Sequence, residues 1–146
     1  MSDKFVYVTY IRTTREKVWE ALTRPEFTRQ FWYGTVLESG WSKGAPWKMV
    51  NAEGTITDEG EVLEIEKPKR LVLGWRHQWR PELKAEGEAR CTIDLETTKD
   101  LVKLTVTHEI GCEDSKLIRA VSGGWPQILS SLKSMLETGK ALERAG

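Results

Sequence analysis

Two imidazoles, His77 and His108, have ordinary pKa values close to neutrality, so acid–base or ligand-orienting chemistry in this chain starts from them. His108 ends the run Leu104-Thr105-Val106-Thr107-His108, and strand alternation sets it on the side of Leu104 and Val106. There it is either a buried imidazole hydrogen-bonded to backbone or to a neighbour, or a ligand-orienting donor or general base. His77 lies two residues beyond Trp75 and shares its side. Pairing Ile65 with Leu71 brings Glu61 opposite Trp75 and Glu59 opposite His77. A carboxylate beside an imidazole makes an acid–base pair, or a solvated pair at the end of a sheet. A bulge near Gly60 would instead turn Glu61 outward.

Tryptophan is the compositional anomaly, with seven residues in the chain. Each indole fills much space but carries an N–H that needs an acceptor when buried, so seven are hard to satisfy in one small core. Some fill the core, and some are expected to line a cavity. Wall candidates on the sheet side are Trp32, Tyr33, Trp47, Met49, Trp75 and Trp79, and on the helix side Trp125, Leu129 and Met135. His108, His77 and either Glu61 or Tyr33 would orient a ligand. No metal or cofactor is expected: two His, two Cys and one uncertain Glu have no ligand spacing. Nucleophile-elbow, phosphate-loop and dinucleotide signatures are lacking too. Cys91 and Cys112 read as small core or strand-end residues.

These side chains need elements to hold them. Phe5 to Ile11 is β-branched and aromatic and reads as a strand. Thr13 with Glu16 reads as a capping box before a helix bearing Val18, Trp19, Ala21 and Leu22, and Pro25 opens a second short helix with Phe27 and Phe31. From about Trp32 to Ile110 the chain reads as strands and turns. In the last hairpin, placing Thr98 opposite Leu101 sets Leu95 on Leu104, Ile93 on Val106 and Cys91 on His108, with Glu96 on Lys103, Asp94 on Thr105 and Thr92 on Thr107 behind. One face is then apolar apart from His108 and the other polar, and a one-residue slip would mix them. At the C-terminus, Val121, Trp125, Ile128, Leu129, Leu132, Met135 and Leu136 form a helical stripe. Asp114 or Ser115 would cap a first piece, Ser122-Gly123-Gly124 would interrupt it, and Pro126 fits only the first turn of a restarted helix ending near Gly139 or Leu142.

The chain of 146 residues suits a single domain spanning 1–146. Lys+Arg and Asp+Glu are equal at 22 each, which argues against a nucleic-acid footprint or a polybasic membrane patch. No apolar run approaches the roughly 20 residues of a membrane helix, so no membrane insertion and a cytoplasmic location are expected. Grouped strands with helices at the ends favour α+β: a curved antiparallel sheet of about six or seven strands over a long C-terminal helix.

Four stretches also resemble one family. They are Val18-Trp19-Glu20-Ala21-Leu22-Thr23 with Pro25-Glu26; Gly60-Glu61-Val62-Leu63-Glu64-Ile65 with Pro68, Arg70-Leu71 and Trp75; Leu104-Thr105-Val106-Thr107-His108; and Gly123-Gly124-Trp125 with Leu129, Leu132-Lys133 and Leu136-Glu137. In this order they resemble the family named after the activator of the ninety-kilodalton heat-shock chaperone ATPase, within the group of START domains, birch-pollen-type allergens and polyketide cyclases. The resemblance implies the helix-grip fold and a cavity between sheet and last helix. The expectation is a binding protein for a small hydrophobic or aromatic ligand, monomeric or weakly dimeric. The alternatives are a chaperone or stress-response partner module, and a cyclase- or hydrolase-like enzyme using a cavity His. Pro126 departs from the family pattern, where a non-proline helix residue is expected.

Overall fold

The computed structural model describes residues 2–143. Strand β1 (Asp3–Ile11) is followed by helices α1 (Arg15–Thr23) and α2 (Pro25–Phe31), then by β2 (Val36–Ser39), β3 (Pro46–Val50), β4 (Ile56–Glu66) and β5 (Arg70–His77). A short helix α3 (Pro81–Lys84), β6 (Ala89–Thr98), β7 (Leu101–Ile110) and the long helix α4 (Lys116–Thr138) complete the order. The seven strands make one antiparallel sheet in the order β1-β7-β6-β5-β4-β3-β2, with α4 lying against it. This is the α+β helix-grip fold.

The β6–β7 register is the one the alternation dictates: Leu95 faces Leu104, Ile93 faces Val106, Cys91 faces His108, and Glu96 faces Lys103. The β4–β5 pair differs from the sequence expectation. Ile65 does face Leu71, but the register shifts between Val62 and Glu64, so Val62 faces Leu73, Glu59 faces Arg76 and Asp58 faces His77. One extra residue at this bulge reverses which positions point inward, the general effect of a two-against-one insertion. Beyond it towards the start of β4, Val62 and Asp58 are buried while Glu59 and Glu61 are exposed. Gly60 is fixed by a close approach: a Cβ there would lie 1.9 Å from the Gly74 carbonyl oxygen.

The helices begin and end by capping chemistry, with two corrections to the sequence reading. Thr14, not Thr13, caps α1, its hydroxyl accepting the Lys17 N–H at 3.3 Å. α4 runs unbroken through Ser122-Gly123-Gly124 with Pro126 inside it, where two segments were expected. Pro126 withholds its N–H from the helix ladder, but Trp125 beside it is buried in the core, and that burial outweighs the local breaking signal. Ser115 caps the start by accepting the Ile118 N–H. The carboxylate of Glu86 accepts the Ser115 hydroxyl and the Lys116 and Leu117 N–H groups. Burial alone would raise the Glu86 carboxyl, yet these donors hold it below the usual carboxylate value. Gly139, with φ +86°, ends α4 in the left-handed conformation.

Candidate functional site

Between α4 and the β3–β4–β5 end of the sheet lies a pocket of about 590 Å³. That volume falls within the range of small-molecule sites. Met49 of β3, Thr57 and Asp58 of β4, and Trp75 and His77 of β5 form the sheet wall. Leu117, Ala120, Val121, Gly124, Trp125 and Ile128 of α4 form the opposite wall. Trp32 and Tyr33 enter from the end of α2, and Leu83 enters from α3, a helix the strand reading missed although Pro81 stands at its start. Glu53, Trp79 and Arg80 are exposed lining residues and mark the mouth.

The rings meet at steep angles. Trp32 and Trp125 have centroids 5.3 Å apart at 64°, and Trp75 and Trp125 are 6.1 Å apart at 64°. Such rings make a corner, not a stack, and leave a hollow. Gly124 contributes on the helix side: a Cβ built there would meet only Ile128 Cδ1, at 4.0 Å. A glycine inside a helix costs about 1 kcal/mol relative to alanine, and here the missing side chain leaves pocket volume.

A buried polar triad stands at the sheet wall. Oδ2 of Asp58 accepts the Trp75 indole N–H at 2.7 Å and lies 2.9 Å from His77 Nδ1. An ionised carboxylate only accepts, so Nδ1 of His77 carries the proton, and a neutral His77 presents a lone pair on Nε2. Nε2 has no hydrogen-bond partner among the described residues. Asp58 was not singled out in the sequence. The signal for it was the adjacent apolar pair Val62-Leu63, which breaks the alternation of β4 and marks the bulge that brings Asp58 opposite His77.

Of the residues singled out in the sequence, Trp32, Tyr33, Met49, Trp75, His77, Trp79 and Trp125 line this pocket. Four others do not. Glu61 is exposed on the far side of the bulge, in a shallow groove with Glu59, Arg76 and Glu88. Trp47 stands behind the wall: its ring packs 4.7 Å from Trp75 and its indole N–H reaches the Gly74 carbonyl at 2.8 Å. Leu129 points into the dry core, and its neighbour Ile128 takes the lining position. His108 is fully buried, its ring 4.9 Å from Trp75 and its Nδ1 accepting the Trp125 indole N–H at 3.2 Å. That bond leaves the neutral ring's proton on Nε2, which lacks a partner among the described residues. Burial lowers the His108 pKa to about 4, against a smaller upward pull from Asp58. His108 is therefore a neutral support for two wall indoles. Burial likewise pushes the Cys91 thiol up and leaves it unreactive.

Among the described residues no group of three or more His, Cys, Asp or Glu converges as a metal site, and no helix is long and apolar enough to cross a membrane.

The comparisons agree with this architecture. The family model described as Activator of Hsp90 ATPase homolog 1-like protein matches residues 12–137. No curated protein matches the chain in sequence. Solved structures do. ChR145 from Cytophaga hutchinsonii is 28% identical, with 93% of this chain and 94% of that one covered and a TM-score of 0.72. The Aha1 dimer from Colwellia psychrerythraea is 22% identical over 95% and 99%, TM-score 0.76. PFC0360w, an Hsp90 activator from Plasmodium falciparum, is 19% identical over 91% and 95%, TM-score 0.75.

Proposed function

The chain belongs to the Activator of Hsp90 ATPase homolog 1-like family, and from the site it builds on that fold we propose that it binds a small hydrophobic or aromatic molecule between α4 and the sheet. The observation that carries this reading is the 590 Å³ hollow walled by Trp32, Trp75 and Trp125. A hollow among rings forfeits dispersion contacts that a closer packing would make, and an apolar guest restores them. Each Å² of apolar guest surface removed from water contributes about 25 cal/mol. Binding at this site quenches Trp emission and raises the melting temperature.

The test uses 2-methylnaphthalene as probe and Gly124→Leu as the blocking variant. The leucine enters the open pocket, so the variant keeps or raises its melting temperature and loses the probe. A probe that binds the variant as tightly as the wild type sits elsewhere, and the reading fails.

A second reading, a protein-interaction module for a chaperone, has one observation in its favour. Val6, Val8 and Tyr10 expose an apolar stripe on the outer face of β1. Pull-down of the Hsp90 chaperone by the wild type, lost in Val8→Lys and retained in Gly124→Leu, would favour this reading.

A further inference from the structure

The pocket's polar content is unusual for an apolar site. Its deepest charged group is Asp58, 7% exposed and lining the cavity. The donors from the Trp75 indole and from His77 both end on Oδ2 and leave Oδ1 to other partners. His77 reaches the carboxylate only at Oδ2, and its Nε2 has no partner among the described residues. Other charges that line the pocket sit at its mouth. Glu53 adds a second negative group there, and Arg80 is held by Glu82 at 3.1 Å. The interior thus combines one anionic oxygen with indole faces at several angles. Carboxylate and aromatic faces attract the same kind of guest: the carboxylate through a charge-assisted hydrogen bond, the rings through their quadrupoles.

We propose that the ligand of this pocket is an organic cation, an arylalkylamine in its protonated form, whose ammonium N–H donates to Oδ1 of Asp58 while its apolar body lies against Trp32, Trp75 and Trp125. The proposal rests on the reading of the hollow as a small-molecule site and adds its charge preference.

The experiment compares four compounds of one shape on the full chain at neutral pH by calorimetry and melting temperature: 2-naphthylmethylamine, 2-naphthylmethanol, 2-methylnaphthalene and 2-naphthoate. The amine binds about ten- to a hundredfold more tightly than the hydrocarbon, the alcohol falls between them, and the carboxylate binds weakest. In Asp58→Asn the amine loses its advantage over the alcohol while the hydrocarbon binds as before. If that variant does not fold, the four affinities for the wild type decide alone. An amine no better than the alcohol or the hydrocarbon, or a naphthoate that binds best, overturns the charge preference and leaves the small-molecule site standing. If none of the four binds, both readings fall.

Discussion

Under β1, β7 and β6 the inward positions hold Ile11, Leu104, Val106, Ile93 and Leu95, and α4 supplies Leu129, Leu132 and Met135, all buried. Under β3, β4 and β5 the inward positions hold Met49, Asp58, Trp75 and His77, and α4 supplies Ala120, Gly124 and Ile128. The same helix crosses both regions. Where branched aliphatics face leucines, shapes interdigitate and the grip closes. Where rigid rings meet at 64° and face a glycine and an alanine, the grip stays open. Closure goes with side-chain shape against side-chain shape, and the backbone follows the same division: α4 runs closer to β1 and β7 than to β3, β4 and β5. The closed end is also tied from outside: Glu137 accepts the Arg12 N–H at 2.8 Å, and the Lys133 ammonium donates to the Tyr10 carbonyl.

This contrast can be broken at the closed end first. Leu132→Ala removes a fully buried side chain and is expected to cost about 2–5 kcal/mol in denaturant unfolding; a loss under 1 kcal/mol would mean that the closed end is not close-packed. The next effect is pH-dependent and lies at the junction of the two regions. Folded His108 takes up a proton near pH 4, and an unfolded histidine near 6.5. Between those values the unfolded chain holds the proton and the folded chain does not. His108 thus costs stability as pH falls from 6.5 towards 4, and no more below, about 3 kcal/mol in all. Unfolding curves across that window should be steeper in pH for the wild type than for His108→Gln; equal slopes would show that the imidazole is not held neutral.

At the open end the expected changes are smaller and one has the opposite sign. Gly124→Ala should stabilise by about 0.5–1 kcal/mol, since the methyl group enters free space and the helix loses its most flexible residue. A destabilised variant would mean that the space is filled. Trp79→Ala, at a residue 61% exposed, should leave stability within about 0.5 kcal/mol. A larger loss would make Trp79 part of the packed structure and not of the mouth.

The two regions also differ in how readable they were. The β6–β7 pairing could be derived residue by residue because each strand alternates cleanly and only one register separates Leu95 and Leu104 from Glu96 and Lys103. The pocket end breaks the rules on which such a derivation depends. The bulge at Val62–Glu64 replaces Glu59 with Asp58 as the partner of His77; strict alternation gave Glu59, and the sequence offered a bulge near Gly60 only as the alternative that turns Glu61 outward. The stretch Gly123-Gly124-Trp125-Pro126 has every local mark of a helix break, yet the helix continues, because tertiary burial of Trp125 outweighs local preference. Aromatic content showed that a cavity was to be expected; which rings face it depended on the bulge and on the helix that did not break.

The close approach of β4 to β5 has a consequence for anyone mapping this protein by random substitution. At Gly60 even a methyl group would collide with the Gly74 carbonyl, the same oxygen that Trp47 holds. A selection for ligand capture would score that glycine as intolerant as any contact residue, although it lines only the shallow outer groove. Its intolerance would record a crossing of two main chains, and an engineer who redesigned the guest specificity around it would be redesigning a hinge pin.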